Sequence, residues 1–93
     1  MTEAVPTIFI DNDVTRVTEW RFPVGSSTGW HRHEMNYVVV PLLDGVLRIV
    51  GPDGSSTDAQ LTHGVPYYRD VGVEHDVINA NDFEFAFIEV EMK

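Results

Sequence analysis

The chain has no cysteine among its 93 residues. Disulfides, thiolate metal ligands and a cysteine nucleophile are therefore excluded. Basic residues are almost as scarce: five arginines and a single lysine, Lys93, stand against fifteen acids, giving a formal charge of −9. A surface of that sign repels phosphate backbones and anionic headgroups, so neither nucleic acid nor a membrane is an expected partner. No apolar run approaches the roughly 20 residues that a bilayer span requires. The opening MTEAVPTIFID carries no basic segment leading into an apolar one. No secretory signal is expected, and the cytoplasm is the expected compartment.

Helical periodicity is missing as well. What replaces it is a series of short β-branched and aromatic runs broken by turn residues, the pattern of an antiparallel all-β domain. Strands are expected over 7–11, 14–23, 29–33, 36–43, 45–51, 57–62, 66–70, 73–80 and 83–92. Asp44-Gly45 reads as a type I′ hairpin turn, Pro52-Asp53-Gly54 as a second turn and Asn81-Asp82 as a third. Pro41 lacks a backbone donor inside an apolar run, which points to an edge position or a bulge. The last strand alternates, with Phe83, Phe85 and Phe87 on one face and Glu84, Ala86 and Ile88 on the other. With 43% hydrophobic residues, one domain spanning 1–93 is expected, rolled into a barrel or sandwich. A jelly roll is the compact solution at this length.

Four histidines occur, and their placement is the main functional signal. His31 and His33 are two apart on an expected strand, so both rings point the same way. An HxH pair alone is weak evidence for a metal. His75, on a second expected strand, supplies a third imidazole. Three neutral imidazoles from neighbouring strands suit a first-row divalent ion such as Fe, Ni, Zn or Cu better than Mg or Ca. His63, before the Gly64 turn, reads as a surface residue.

The two histidine segments together resemble the cupin superfamily. The first cupin motif runs G, five residues, HxH, three or four residues, E, six residues, G; Gly25, His31, His33 and Gly45 fall in its slots. The second runs G, five residues, P, one, G, two, H, three, N; Gly64, Gly72, His75 and Asn79 match it. The resemblance covers nearly the whole chain and is nearest to small single-domain bacterial cupins, a group often labelled by association with β-alanine degradation. It implies a small cupin jelly-roll β-barrel holding one divalent transition metal through His31, His33 and His75. Two slots depart from the pattern. The glutamate slot falls on Val38, or on Tyr37 with the shorter gap, and the proline slot on Asp70. Some metal-dependent cupins, thiol dioxygenases among them, use three histidines without the acid, and others have lost the metal.

Several residues surround the expected centre. Tyr37 shares the parity of His31 and His33, so its hydroxyl is a candidate catalytic group in place of the missing glutamate; the alternative is a core tyrosine. Glu34 has the opposite parity and is expected to face solvent. Arg48 and Arg69 lie on expected strands and are candidates to bind a substrate carboxylate from the barrel wall; the alternative is an internal ion pair, and Arg21 is a weaker case of the same kind. Trp30, Tyr67, Tyr68, Phe85 and Phe87 supply a pocket wall or simply the core. Gly72 and Asn79 read as scaffolding. The expected ligand is a small molecule, and the expected function is an enzyme acting on a small organic acid, with dioxygenase-type chemistry foremost. The alternative is a binding module without turnover. A homodimer is expected, with TIFID adding to a neighbour's sheet.

Overall fold

The β-branched and aromatic runs form nine strands in the computed structural model, which describes residues 2–93. They are β1 (Val5–Asp11), β2 (Thr15–Phe22), β3 (His31–Arg32), β4 (Asn36–Pro41), β5 (Gly45–Val50), β6 (Ser56–Leu61), β7 (Tyr67–Arg69), β8 (Glu74–Asn79) and β9 (Phe85–Met92). Each falls within or beside an expected strand, and no helix forms among the described residues. Two antiparallel sheets result, one in the order β1-β2-β9-β4-β7 and the other β3-β8-β5-β6. Apart from the β1–β2 and β5–β6 hairpins, successive strands cross between the sheets, and the double-stranded β-helix that results closes around one core.

Alternation sets that core. Phe22, Tyr37, Val39, Leu47, Leu61, Val77, Phe85 and Phe87 turn inward from both sheets and pack together. Phe22 and Phe85 are wholly buried, and burial of each contributes about 2–3 kcal/mol. Phe83, expected on the same face as Phe85, lies before the start of β9 and is exposed. Pro41 ends β4 beyond its pairing with β7, which covers only Tyr37 to Val39. The absent N–H therefore leaves no ladder bond unmade on that side.

The Asp44-Gly45 reading is corrected by the structure. β4 and β5 lie in different sheets, and neither Asp44 nor Gly45 has a positive φ, so no type I′ hairpin forms. The chain instead turns a corner of the barrel. Asp44 Oδ1 accepts the His63 N–H at 2.8 Å. Gly45 is required by space, because a Cβ there would lie 2.7 Å from two ring carbons of Phe85. The Pro52-Asp53-Gly54 turn does join a hairpin, β5 to β6, with Gly54 at φ +81° and its N–H bonded to Gly51 O at 3.0 Å.

Strand β1 stands apart. All seven of its residues are exposed, including Ile8, Phe9 and Ile10 at 57%, 58% and 47%. It pairs with β2 on one side and ends the sheet on the other.

Candidate metal centre

The second motif delivers its histidine to the first by backbone pairing. β3 and β8 are antiparallel neighbours in which His31 sits opposite His75. Beyond β3 the backbone of His33 is held twice, its N–H donating to Val73 O and its C=O accepting from Gly72 N, both at 2.8 Å. Gly72 makes that turn at φ +95°, a conformation that glycine adopts without a Cβ penalty. Asn79 anchors the far end of β8. Its buried amide donates to Phe22 O at 3.0 Å and Phe83 O at 2.9 Å, and its Oδ1 accepts from Asn81 N at 2.9 Å. Both residues serve as the scaffolding that the motif implies.

Three rings converge as a result. His33 Nε2 lies 3.0 Å from His31 Nε2 and 3.1 Å from His75 Nε2, and the rings meet edge to face. Protons do not satisfy such a cluster, since one nitrogen offers a single hydrogen or a single lone pair. His31 Nδ1 lies 2.9 Å from Gly29 O; a carbonyl can only accept, so Nδ1 carries a hydrogen and Nε2 is the nitrogen turned to the cluster. Burial, then the neighbouring His31, pushes His33 and His75 down to about 4. Both are neutral, the ligating form, at physiological pH. Donors at right angles on one ion at about 2.1 Å lie about 3.0 Å apart, which matches the two spacings observed. The three residues fit a divalent cation.

The rings face a cavity of about 440 Å³ inside the barrel. Trp20, Val39, Leu47, Ile49, Val77 and Phe87 make its wall largely apolar. Tyr37 lines it, as its parity implies, and stacks on His33 with centroids 3.8 Å apart and planes at 18°. Burial and the nearby Glu89 raise its phenol well above the ordinary value, so the hydroxyl stays protonated. Arg69 lies at the rim, its guanidinium 4.7 Å over the Tyr67 ring and its Nη1 donating to Tyr68 O at 3.0 Å. Among the described residues no carboxylate lies within ion-pair distance of it.

Other candidates lie elsewhere. Arg48 does not line the barrel: it alternates outward between Leu47 and Ile49 and pairs with Asp58 on β6 at 2.9 Å. Arg21 is likewise outside, paired with Glu19 and Glu84. Glu34 is exposed at the rim, as its parity implies, 3.9 Å from Arg32. Trp30 and Tyr68 are exposed, Phe85 belongs to the core, and His63 is on the surface.

Two acids line the cavity that sequence reasoning left out, Glu89 and Glu91. They continue the inward face of Phe85 and Phe87 along β9, so the alternation that marked the phenylalanines was the signal. Glu89 is only 7% exposed. Burial, then repulsion from Glu91, pushes its carboxyl up to about 7, against a hydrogen bond from Trp20. Together with His33 the two acids form a second group of potential ligands.

No family model matches the chain. It is 52% identical over 91 residues to the β-alanine degradation protein BauB of Pseudomonas aeruginosa, covering 98% of this chain and 95% of that protein. The crystal structure of a cupin domain from Bordetella pertussis Tohama I superposes with a TM-score of 0.96 at 56% identity, over 99% of this chain and 95% of that one. An RmlC-like cupin with a double-stranded β-helix fold from Methanocaldococcus jannaschii, only 14% identical, superposes at 0.79 over 99% and 82% of the two chains and shows the fold alone. The chain belongs to the cupins, among the small bacterial members that include BauB.

Proposed function

We propose that this cupin binds one divalent transition ion, Fe, Ni, Zn or Cu, through His31, His33 and His75. It acts there as an enzyme on a small carboxylate-bearing metabolite. The observation that carries the reading is the approach of three imidazole nitrogens to 3.0 and 3.1 Å at the mouth of an apolar cavity. When bound, such an ion supplies Lewis-acid polarisation, an acidified water or, as iron, activation of O₂, and the last makes a dioxygenase the leading reaction class.

The chain's own residues have the following parts. The three imidazoles add no charge, so an anionic substrate is drawn toward the centre. Arg69, with no acidic partner among the described residues, forks onto the carboxylate. The apolar wall excludes water and selects a small, compact carbon skeleton. Tyr37 holds the His33 ring by its face and presents a protonated hydroxyl to the cavity. The name of the 52% identical relative, a β-alanine degradation protein, points to a three-carbon acid as the first substrate to try.

The cytoplasm remains the proposed compartment. We also assign a homodimer, with β1 laid against a second copy, because its apolar residues are exposed on both faces and its outer edge is free. Replacing Ile8 and Phe9 with lysine is expected to shift the light-scattering mass from dimer to monomer.

Protein purified without added metal, analysed for its bound element and then assayed for O₂ uptake with small acids and thiols, tests the functional reading. Bound iron with substrate-dependent uptake supports a dioxygenase. Turnover without O₂ moves the chemistry to hydrolysis or isomerisation. Tight binding without turnover of any kind overturns the enzyme and leaves a binding module.

A further inference from the structure

Three strands of the five-stranded sheet set opposite charges in one row. Glu91, Tyr37 and Arg69 stand side by side across β9, β4 and β7. Glu89, Val39 and Tyr67 form the next row on the same face. All six line the cavity. Two strand spacings, about 9–10 Å between Cα atoms, separate the acidic end from the basic one.

Opposite charges that share an apolar cavity ordinarily pair with each other. These do not. Among the described residues Arg69 has no carboxylate within ion-pair distance, and neither Glu89 nor Glu91 has a basic side chain within it. Arg16 lines the cavity opposite Glu91 but sets its Nε 3.5 Å from Asp11. Tyr37 and Val39, on the intervening strand, hold the two ends apart.

Glu89 is the buried member, only 7% exposed. Trp20 supplies one hydrogen bond to it, and a carboxylate has two oxygens to offer. One oxygen of Glu89 and one of Glu91 lie within 4.8 Å of each other, so the two charges repel and a cation set between them relieves that. The pair shares only His33 with the imidazole cluster. A primary ammonium suits the place. It carries three N–H donors for two carboxylates, and the neighbouring Trp20 and Phe87 rings in the cavity wall favour a cation over their faces.

We propose that the cavity takes an amino acid whose ammonium and carboxylate stand at opposite ends of a short chain, with the carboxylate on Arg69 and the ammonium on Glu89 and Glu91. Tyr37 and Val39 form the floor under the chain. An α-amino acid, with both charges on one carbon, does not reach both ends. A plain acid of the same length leaves the buried carboxylates without a counter-charge, and a site built around such groups rejects the analogue that lacks their partner. The inference rests on the carboxylate-binding reading and names the substrate class for it.

The test is isothermal titration of the zinc-loaded wild type, E89Q, E91Q and R69A with β-alanine and with propionate, the same chain without its ammonium. Zinc content and melting curves are recorded for each protein. Wild type is expected to bind β-alanine about tenfold or more tighter than propionate, as a charge-assisted pair contributes. E89Q is expected to bring the two affinities within about threefold, E91Q to narrow the gap by less, and R69A to weaken both ligands. A crystal structure of the zinc-loaded wild type with β-alanine is expected to place the nitrogen on the Glu89 carboxylate, which decides the matter even if E89Q fails to fold. Propionate bound as tightly as β-alanine, a preference kept by E89Q, or the nitrogen found on zinc overturns the ammonium subsite and leaves the carboxylate reading standing. Zinc lost from E89Q and E91Q gives the acids to the metal and overturns the subsite as well. A wild type that binds neither ligand, or binds both with no loss in R69A, overturns the carboxylate reading and this inference with it.

Discussion

The ring of Tyr37 lies flat against the imidazole of His33, with centroids 3.8 Å apart and planes at 18°. The shorter spacing of the first motif puts the usual acid at Tyr37. In this chain that place is filled by an aromatic ring that lies on the face of the His33 imidazole. Y37F keeps the stack and is expected to bind metal within about threefold of wild type, whereas Y37A opens a cavity beside His33 and costs about 3–5 kcal/mol of stability. Thermal melts and metal titrations on both variants check this. If Y37F also loses most of its turnover while its metal content holds, the hydroxyl takes part in the chemistry.

Stability of the metal-free protein is expected to fall on acidification. His33 and His75 stand at about 4 in the fold against an ordinary 6.5. Between those values the unfolded chain binds more protons, so their contribution is present above 6.5 and lost as pH falls toward 4. Glu89 works the other way: raised from 4.5 to about 7, it binds its proton in the fold and loses its contribution as pH rises through that window. Glu91, raised by burial as well, works in the same sense as Glu89 with the smaller shift, so the two imidazoles still prevail: Tm should climb from pH 4.5 to 6.5 and then level or turn slightly down by pH 7.5. A Tm that falls steadily across pH 4.5–6.5 contradicts the assignment.

Gly45 is a glycine for reasons of space. A methyl group there meets the Phe85 ring at 2.7 Å and Asn81 Nδ2 at 3.1 Å, and Phe85 is wholly buried. G45A should therefore destabilise by about 1–3 kcal/mol through overpacking. G51A, whose nearest neighbour is 3.6 Å away, should stay within about 0.5 kcal/mol of wild type. Urea unfolding of the pair measures the difference.

Arg69 and Arg48 separate rim from exterior. R69A is expected to weaken binding of propionate to the metal-loaded protein about tenfold, since a charge-assisted pair contributes about 1.5–3 kcal/mol. R48A removes only an exposed pair with Asp58 and should leave that affinity unchanged. Isothermal titration of both variants decides whether Arg69 anchors the carboxylate.

All nine strands were legible because alternation and turn residues are local, and the three histidines were legible because their spacing is. The remainder depends on which way the chain goes at a corner. Asp44-Gly45 has the composition of a hairpin turn, yet the next strand joins the other sheet, and the glycine answers to Phe85, forty residues away. Arg48 was placed in the barrel wall because it lies on a strand, but its parity with Val46 and Val50 turns it outward. Glu89 and Glu91 were overlooked because acids are ordinarily solvated, although the parity that buried Phe85 and Phe87 carried both acids inward. Parity along one strand was the better guide than residue type.

The most direct test of the account is the metal content of wild type and H75A, purified side by side and measured by elemental analysis after exposure to one equivalent of ion. The account predicts about one tightly held ion per wild-type chain and a loss of about 100-fold or more in affinity for H75A, beyond what an outer residue costs. Equal metal in the two proteins, or none in either, would contradict it.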